Sequence, residues 1–225
     1  MTFPRLLIPS LALLFLIQAH VAAAPLKVGV LVYDDLTISE ITAPLEVYGM
    51  AGPNGERPFE VVLIGATKKP VKSHEGLRFF PEVTFDTCPP LDVLVVPGSM
   101  DASVGEKNPR VHAFLQKHSK KVAYVTSHCA GAFVLGNAGL LDGRRATTYL
   151  TGEKLLQQQF PKAKVQGQEI NFVVDGNLVT SKGALVSYEA SLWVVRQLAG
   201  DAHADYVNGR IYLSRLNKAN AVHLH

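Results

Sequence analysis

Short, nearly continuous apolar runs constrain the fold of this chain more than any other feature. Residues 26–33, 59–66, 92–98 and 121–127 carry the runs "LKVGVLVY", "FEVVLIGA", "DVLVVPG" and "KVAYVTS". Strands buried on both faces have this composition, which is typical of parallel sheets covered by helices on each side. Segments of helical pattern separate the runs. We therefore predict an α/β fold with an open parallel sheet sandwiched by helices.

Turn and cap residues mark some of the element boundaries. Thr42 is the predicted N-cap of the first helix, which is expected to end near Gly49 or Gly52. Asp175-Gly176-Asn177 separates two apolar runs and predicts a β-hairpin. We find no repeat and no linker, so residues 25–215 are predicted to form one domain.

The N-terminus has the pattern of a secretory signal peptide, predicted to span residues 1–24. A positively charged start precedes the apolar run from Leu6 to Ile17, and small residues follow it. That run is shorter than the ~20 residues of a membrane-spanning helix. We expect cleavage near Ala24, export to the periplasm or the medium, and no stable membrane anchoring. An uncleaved anchor is the alternative.

Charge and composition narrow the range of partners. The chain has 22 Lys and Arg against 19 Asp and Glu, a formal net charge of +3. The electrostatic field of so small a net charge is too weak to attract nucleic acid or acidic membranes. We expect a small-molecule partner and no cofactor. The polar residues 216–225 are predicted to be a frayed tail, whose two histidines are too few for a metal site.

Both cysteines are predicted to be free thiols. Cys88 precedes one predicted strand and Cys129 follows another. If these strands are parallel neighbours, the cysteines lie at opposite ends of the strands. A six-residue strand is about 20 Å long, whereas the Cα atoms of a disulfide lie within roughly 7 Å.

Cys129 lies in "VTSHCAGAFVLGNAGLL", residues 125–141, between an apolar run and a helical run. Ser127 and Gly131 are the small residues that a tight strand-to-helix elbow needs around a nucleophile. A helix N-terminus is expected to lower the thiol pKa from ~8.5 toward neutrality. A buried structural cysteine is the alternative, but the elbow pattern favours a nucleophile.

Other residues that follow strands are candidates for the same site, because the crevice of an open parallel sheet lies beyond the carboxyl ends of its strands. A desolvated Glu40 carboxyl would have a raised pKa and could donate to the thiolate or act as a general acid or base. A solvated residue at a helix N-terminus is the alternative. The amides of Gly98 and Ala130 are candidate oxyanion donors, with a ligand-free tight turn as the competing interpretation.

At these residues the sequence resembles the ThiJ/PfpI family of the class I glutamine amidotransferase-like superfamily. The likeness covers most of residues 26–200 and rests on "VGVLVYDDLTISEITAPLEVY", "CPPLDVLVVPGS", "YVTSHCAGAFVLGNAGLLDGRRATTY" and "LVTSKGALVSYEASL". The third block is most similar to isocyanide hydratases and to sensor domains of AraC-type regulators, and the fourth to the deglycase branch. The resemblance implies a flavodoxin-like, doubly wound sandwich and a homodimer. It also implies that Cys129 is the nucleophile, Glu40 its acidic partner, and Gly98 with Ala130 the backbone donors.

The sequence departs from the family pattern at two places. Tyr149 stands where many relatives carry histidine, and a tyrosine with a pKa near 10 is a poor base. His128 is expected to point away from the nucleophile and to be structural or interfacial. His74 is a weaker rival, expected in a solvated loop unless it reaches the crevice across a dimer. Isocyanide hydratases tend to have threonine in place of Ala130, which argues against isonitrile hydration.

We therefore predict an exported cysteine-dependent enzyme that acts on a small electrophile by hydratase, glyoxalase or deglycase, or amidase-like chemistry. The alternative is a non-enzymatic protein that senses oxidants through cysteine oxidation or binds a ligand. A regulator's sensor module ranks last, since the chain leaves no room for a DNA-binding domain.

Overall fold

The computed structural model describes residues 24–101 and 103–215. In chain order the strands are β1 (Leu26–Leu31), β2 (Phe59–Gly65), β3 (Val71–Lys72), β4 (Arg78–Phe79), β5 (Val83–Thr84), β6 (Val93–Val96), β7 (Tyr124–His128), β8 (Arg145–Ala146), β9 (Lys164–Val165), β10 (Phe172–Asp175) and β11 (Leu178–Ser181). The helices are α1 (Ser39–Gly49), α2 (Pro109–His118), α3 (Gly131–Asn137), α4 (Glu153–Gln159) and α5 (Val186–Arg210), followed by a 3-10 turn at Leu213–Arg215.

The central sheet has seven strands in the order β10-β11-β7-β6-β1-β2-β5. All neighbours are parallel except β10 and β11, which form the predicted hairpin. From β1 the chain moves outward through β2, and from β6 it moves the other way to β7. The predicted α/β architecture is confirmed as a mostly parallel, doubly wound, flavodoxin-like sheet in a single domain.

The core explains why the strand sequences are continuously apolar. The four residues of β6, Val93–Val96, have no exposed surface, and neither do Val28, Val30 and Leu31 of β1. Helices α1 and α5 pack against each other, and so do α2 and α3. Right-handed crossovers that leave in opposite directions place these two pairs on opposite faces of the sheet. Both faces are therefore covered.

The first helix begins earlier than predicted. Thr42 lies inside α1, where its hydroxyl donates to the carbonyl of Ile38 over 3.0 Å. Ile38 occupies the N-cap position and makes no side-chain cap hydrogen bond. The prediction of Thr42 as N-cap is wrong, because a threonine hydroxyl can also bond back to the preceding turn. Glu40 consequently belongs to the first turn of the helix.

The topology brings the candidate residues to one end of the sheet. Strands β1 and β6 are neighbours, and the connections that follow them leave in opposite directions. A crevice forms at the carboxyl ends of such a pair. Among residues 24–101 and 103–215, no helix is both long and apolar enough to cross a membrane. The predicted signal peptide, apart from its last residue, and the predicted tail lie outside the described residues and stay predictions.

Candidate active site

Cys129 occupies a strained turn between β7 and α3. Its φ is 53°, in the left-handed region that non-glycine residues rarely adopt. The Cys129 amide donates to the carbonyl of Ser181 over 2.9 Å, and the hydroxyl of Thr148 donates to the Cys129 carbonyl over 2.8 Å. Both backbone groups are therefore fixed by neighbouring elements. Strain held in place by its surroundings is a common feature of functional turns.

Gly131 lets the elbow form, as the sequence predicts. A Cβ added there would lie 2.3 Å from the carbonyl oxygen of Val96 and 3.0 Å from that of Pro97. The first turn of α3 thus packs directly on the end of β6. Ser127, the predicted small residue on the other side, is fully buried.

Glu40 reaches the thiol from the first turn of α1. It is 1% exposed. The amide of Gly98 donates to its Oε2, and the carboxyl is hydrogen-bonded to the thiol of Cys129. Burial raises the pKa of Glu40 to about 7, although both hydrogen bonds act to lower it. The predicted raised pKa is confirmed, and the alternative of a solvated surface residue is wrong.

The pKa of the Cys129 thiol is not lowered, in contrast to the prediction from the sequence. Burial raises its pKa above the ordinary value, and the carboxylate of Glu40 raises it further, while the amide of Ala130 lowers it by donating to the sulfur. The expected lowering by the helix N-terminus does not prevail, because α3 has only seven residues and burial and a neighbouring negative charge outweigh it. The two groups lose protons as a coupled pair.

The two candidate backbone donors differ in where they point. The amide of Ala130 faces the sulfur of Cys129, so it is placed to stabilise negative charge there. The amide of Gly98 instead donates to Glu40. It orients the carboxyl, which differs from its predicted use as an oxyanion donor.

A cavity of about 500 Å³ opens over Cys129. Its lining residues are Ser99, Met100, Glu106, Lys107, Cys129, Ala130, Phe133, Tyr149, Leu155 and Gln159. The rings of Phe133 and Tyr149 stack with centroids 5.9 Å apart and 24° between their planes. Mostly apolar walls with a few polar groups are typical of sites for small molecules.

None of the histidines within the described ranges lines this cavity. His128 is fully buried, and its Nδ1 lies 2.8 Å from the hydroxyl of Ser181. Burial lowers its pKa to about 3, so the ring is neutral and structural. The side chain of His74 is 53% exposed and lies 3.0 Å from a carboxylate oxygen of Asp35. Tyr149 does line the cavity, where burial and the nearby charge of Cys129 raise its pKa.

Several residues of the site are missing from the sequence prediction. Gly183 follows β11 with a φ of 84°, and a Cβ there would lie 2.5 Å from the Cβ of Cys129 and 2.9 Å from a Glu40 oxygen. A glycine two residues after the end of a strand, at the carboxyl end of the sheet, is a signal that could have identified it. Glu106 and Lys107 lie in the loop between β6 and α2 and carry no motif.

Both cysteines are free, as predicted. Cys88 precedes β6 and Cys129 follows β7. Because these strands are parallel neighbours, the two thiols lie at opposite ends of the strands. In the described part of the chain, no group of three or more His, Cys, Asp or Glu side chains could hold a metal ion.

A cysteine elbow paired with a buried glutamate, at the carboxyl edge of a flavodoxin-like sheet, defines the class of this protein. The profile of the DJ-1/PfpI family matches residues 26–197. The chain is 33% identical over 175 residues to an isonitrile hydratase of Pseudomonas putida, a match that covers 78% of this chain and 73% of the relative. The chain therefore belongs to the DJ-1/PfpI family.

Two further similarities show the range of that family. The chain is 24% identical to the HTH-type transcriptional regulator GbdR of Pseudomonas aeruginosa, over 76% of this chain but only 46% of the regulator. The crystal structure of a ThiJ/PfpI family protein from Pseudomonas syringae superimposes with a TM-score of 0.73 at 25% identity, covering 88% of this chain and 78% of that one. Relatives thus include an enzyme and a regulator, so membership alone does not define an activity.

Proposed function

We propose that this protein is a cysteine-dependent enzyme that acts on a small electrophilic molecule. One observation carries the proposal. Cys129 lies on a strained elbow that lines a cavity, and its thiol is hydrogen-bonded to the buried carboxyl of Glu40. A nucleophile within hydrogen-bond reach of a base is the usual arrangement for covalent catalysis.

Glu40 acts as the general base in this proposal. With a pKa of about 7 the carboxyl is substantially ionised near neutral pH, which is the range in which a general base works best. It takes the proton of the thiol as the sulfur attacks an electrophilic carbon. The Ala130 amide, which donates to the sulfur, limits the charge that builds up there.

Three reaction classes fit this arrangement: hydration, glyoxalase or deglycase-type conversion, and amide hydrolysis. The 33% identity to an isonitrile hydratase places isonitriles among the compounds to test. We further propose, from the sequence pattern and the family resemblance, that the chain is exported through its N-terminal signal peptide and acts as a homodimer.

A ligand-binding protein without turnover is the second candidate. The raised thiol pKa favours it, because the thiolate is the nucleophilic form. The similarity to GbdR, which covers 76% of this chain, supports it as well. The same raised pKa disfavours a cysteine that senses oxidants, since oxidation also requires thiolate character.

The test is turnover of a panel comprising an isonitrile, an α-oxoaldehyde, a nitrile and a primary amide. Cys129→Ser is the variant, and Cys88→Ser is the matched control because Cys88 lies outside the cavity. We expect turnover of one class, lost in Cys129→Ser and retained in Cys88→Ser. Turnover that survives in Cys129→Ser would contradict the proposal. Binding without turnover in all three proteins would favour the second candidate.

A further inference from the structure

Glu40 is poorly placed to protonate a substrate. Its Oε2 accepts the Gly98 amide, and its Oε1 lies 2.9 Å from where a Cβ on Gly183 would be. The carboxyl is therefore enclosed behind the sulfur and does not line the cavity. It can take the thiol proton, but an electrophile in the cavity needs a second group to supply a proton to its own heteroatom.

Glu106 has the placement that such a group requires. It lines the cavity together with Cys129. Its carbonyl oxygen lies 2.6 Å from Nε2 of His112, and the neighbouring Gly105 packs against the ring of Tyr33. The backbone is thus anchored at both residues. Within residues 24–101 and 103–215 the Glu106 carboxyl itself makes no hydrogen bond, which leaves it free for a ligand.

Electrostatics agree with this placement. Burial raises the pKa of Glu106, while the adjacent Lys107 lowers it. The carboxyl therefore holds its proton to a higher pH than a solvated glutamic acid. Glu106, Cys129 and the aromatic residues Phe133 and Tyr149 line the same cavity, and the charges of Glu106 and Cys129 both raise the pKa of Tyr149.

The other cavity groups are less suitable donors. Tyr149 has a raised pKa, so its proton is held too tightly for transfer near neutral pH. Lys107 is an exposed residue, so its ammonium group is hydrated by solvent and is not held in a fixed position against the substrate.

We propose that Glu106 donates a proton to the substrate heteroatom during attack by Cys129. The inference rests on the proposed function of Cys129 as a nucleophile. In this step the sulfur forms a bond to the electrophilic carbon, and one π bond between that carbon and its nitrogen or oxygen breaks. The released electron pair takes the proton of Glu106, while the thiol proton passes to Glu40. The step leaves a neutral thioimidate or hemithioacetal, a Glu106 carboxylate and a protonated Glu40.

The cavity walls suggest the rest of the substrate. Phe133 and Tyr149 form a stacked aromatic wall, and Met100 and Leu155 add apolar surface. A flat aromatic or apolar group would pack on this wall. The substrate class is therefore a small aromatic or apolar molecule that carries a nitrile-like or carbonyl carbon.

Two probes test the inference: one needs a proton donor when it reacts with the thiol, and the other does not. The nitrile 2-cyanopyrimidine adds a thiol to form a thioimidate and must gain a proton at nitrogen. Iodoacetamide alkylates the same thiol and releases iodide, so it needs no proton donor. Rates of adduct formation at Cys129 are measured by intact-mass spectrometry for the wild type, Glu106→Gln, Glu106→Asp and the surface control Glu169→Gln, all in a Cys88→Ser background.

We expect Glu106→Gln to slow the nitrile reaction by about a hundredfold, the lower end of typical general acid effects. Its iodoacetamide rate should match that of the wild type, Glu106→Asp should restore part of the nitrile rate, and Glu169→Gln should change neither reaction. Equal slowing of both probes, or of neither, would overturn the role of Glu106. A wild-type Cys129 inert to both probes would instead overturn the proposed nucleophile, and the proton donor with it.

Discussion

The coupling between Glu40 and Cys129 leads to a specific pH dependence. Burial raises the pKa of Glu40 from 4.5 to about 7. At about 1.4 kcal/mol per pKa unit, charging this carboxyl in the folded protein costs about 3 kcal/mol more than in water. The pair therefore loses its first proton near pH 7, and any thiolate present at that stage is accompanied by a protonated Glu40. Glu40→Gln removes the titrating carboxyl and leaves the thiol to ionise alone.

The assay is the rate of iodoacetamide alkylation at Cys129 in a Cys88→Ser background, followed from about pH 6 to pH 10. In the wild type the rate should rise up to about pH 7 and then flatten, because the singly deprotonated pair is fully formed. In Glu40→Gln the inflection near pH 7 should disappear. Its rate should climb about tenfold per pH unit until the thiol itself ionises.

The surface variant Glu169→Gln serves as the control and should keep the wild-type profile. Superimposable profiles for the wild type and Glu40→Gln would refute the coupling. So would a wild-type rate that rises steadily through neutral pH with no inflection, because the carboxyl would then not share a proton with the thiol.

The structure makes three further predictions. The folded-state pKa of Glu40 is raised, so the free energy of unfolding is highest below about pH 4.5, where the carboxyl is protonated in both states, and it falls as the pH rises to about 7. In urea unfolding at pH 8, Glu40→Gln should therefore be more stable than the wild type by up to about 3 kcal/mol. A gain independent of pH would contradict this reasoning. Gly131→Ala should lower the free energy of unfolding by about 2 kcal/mol or more, since the new Cβ would lie 2.3 Å from a β6 carbonyl oxygen. The control Gly49→Ala, which places its Cβ in open space, should leave the free energy of unfolding unchanged or raise it. Comparable losses in both variants would be the adverse result. Lys182→Met should cost about 3 kcal/mol because it leaves the buried carboxylate of Glu153 unpaired, and the double variant with Glu153→Leu should recover most of that loss in the same assay.

Much of the fold could be predicted from the sequence because the strands are buried on both faces. Their apolar runs are therefore continuous, and the four runs overlap β1, β2, β6 and β7. The hairpin at β10 and β11 follows from its Asp-Gly-Asn turn, in which Gly176 has a φ of 57°. Helix starts were harder to locate, since Thr42 bonds within its own helix and does not cap it.

The elbow could also be predicted, because its requirements are local. Cys129 needs small neighbours where the chain turns sharply, and Gly131 supplies one that packs on a backbone carbonyl. The position of Glu40 followed from a general property of parallel sheets, namely that residues after the strands converge at one edge.

The rest of the site depends on packing between distant segments. The pKa of the Cys129 thiol is set by burial and by Glu40, neither of which local sequence shows. Gly98 bonds to Glu40 because α1 brings the carboxyl to the end of β6. Glu106 enters the cavity from an irregular loop, where no periodic pattern predicts the direction of a side chain.

In the proposed function, Cys129 is a nucleophile whose proton is taken by the neighbouring Glu40. The most direct test compares the alkylation rates of the two free thiols in the folded wild-type protein near neutral pH, resolved by peptide mass spectrometry. Burial raises the pKa of Cys88 to about 11 and also raises that of Cys129, so a faster reaction of Cys129 has to come from Glu40, which takes the thiol proton during attack. We expect Cys129 to react at least about tenfold faster than Cys88, a conservative share of the ~10²–10⁴-fold that general-base catalysis contributes. A Cys129 that reacts no faster than Cys88, or only after unfolding, would show that Glu40 does not activate the thiol and would identify Cys129 as a packing residue.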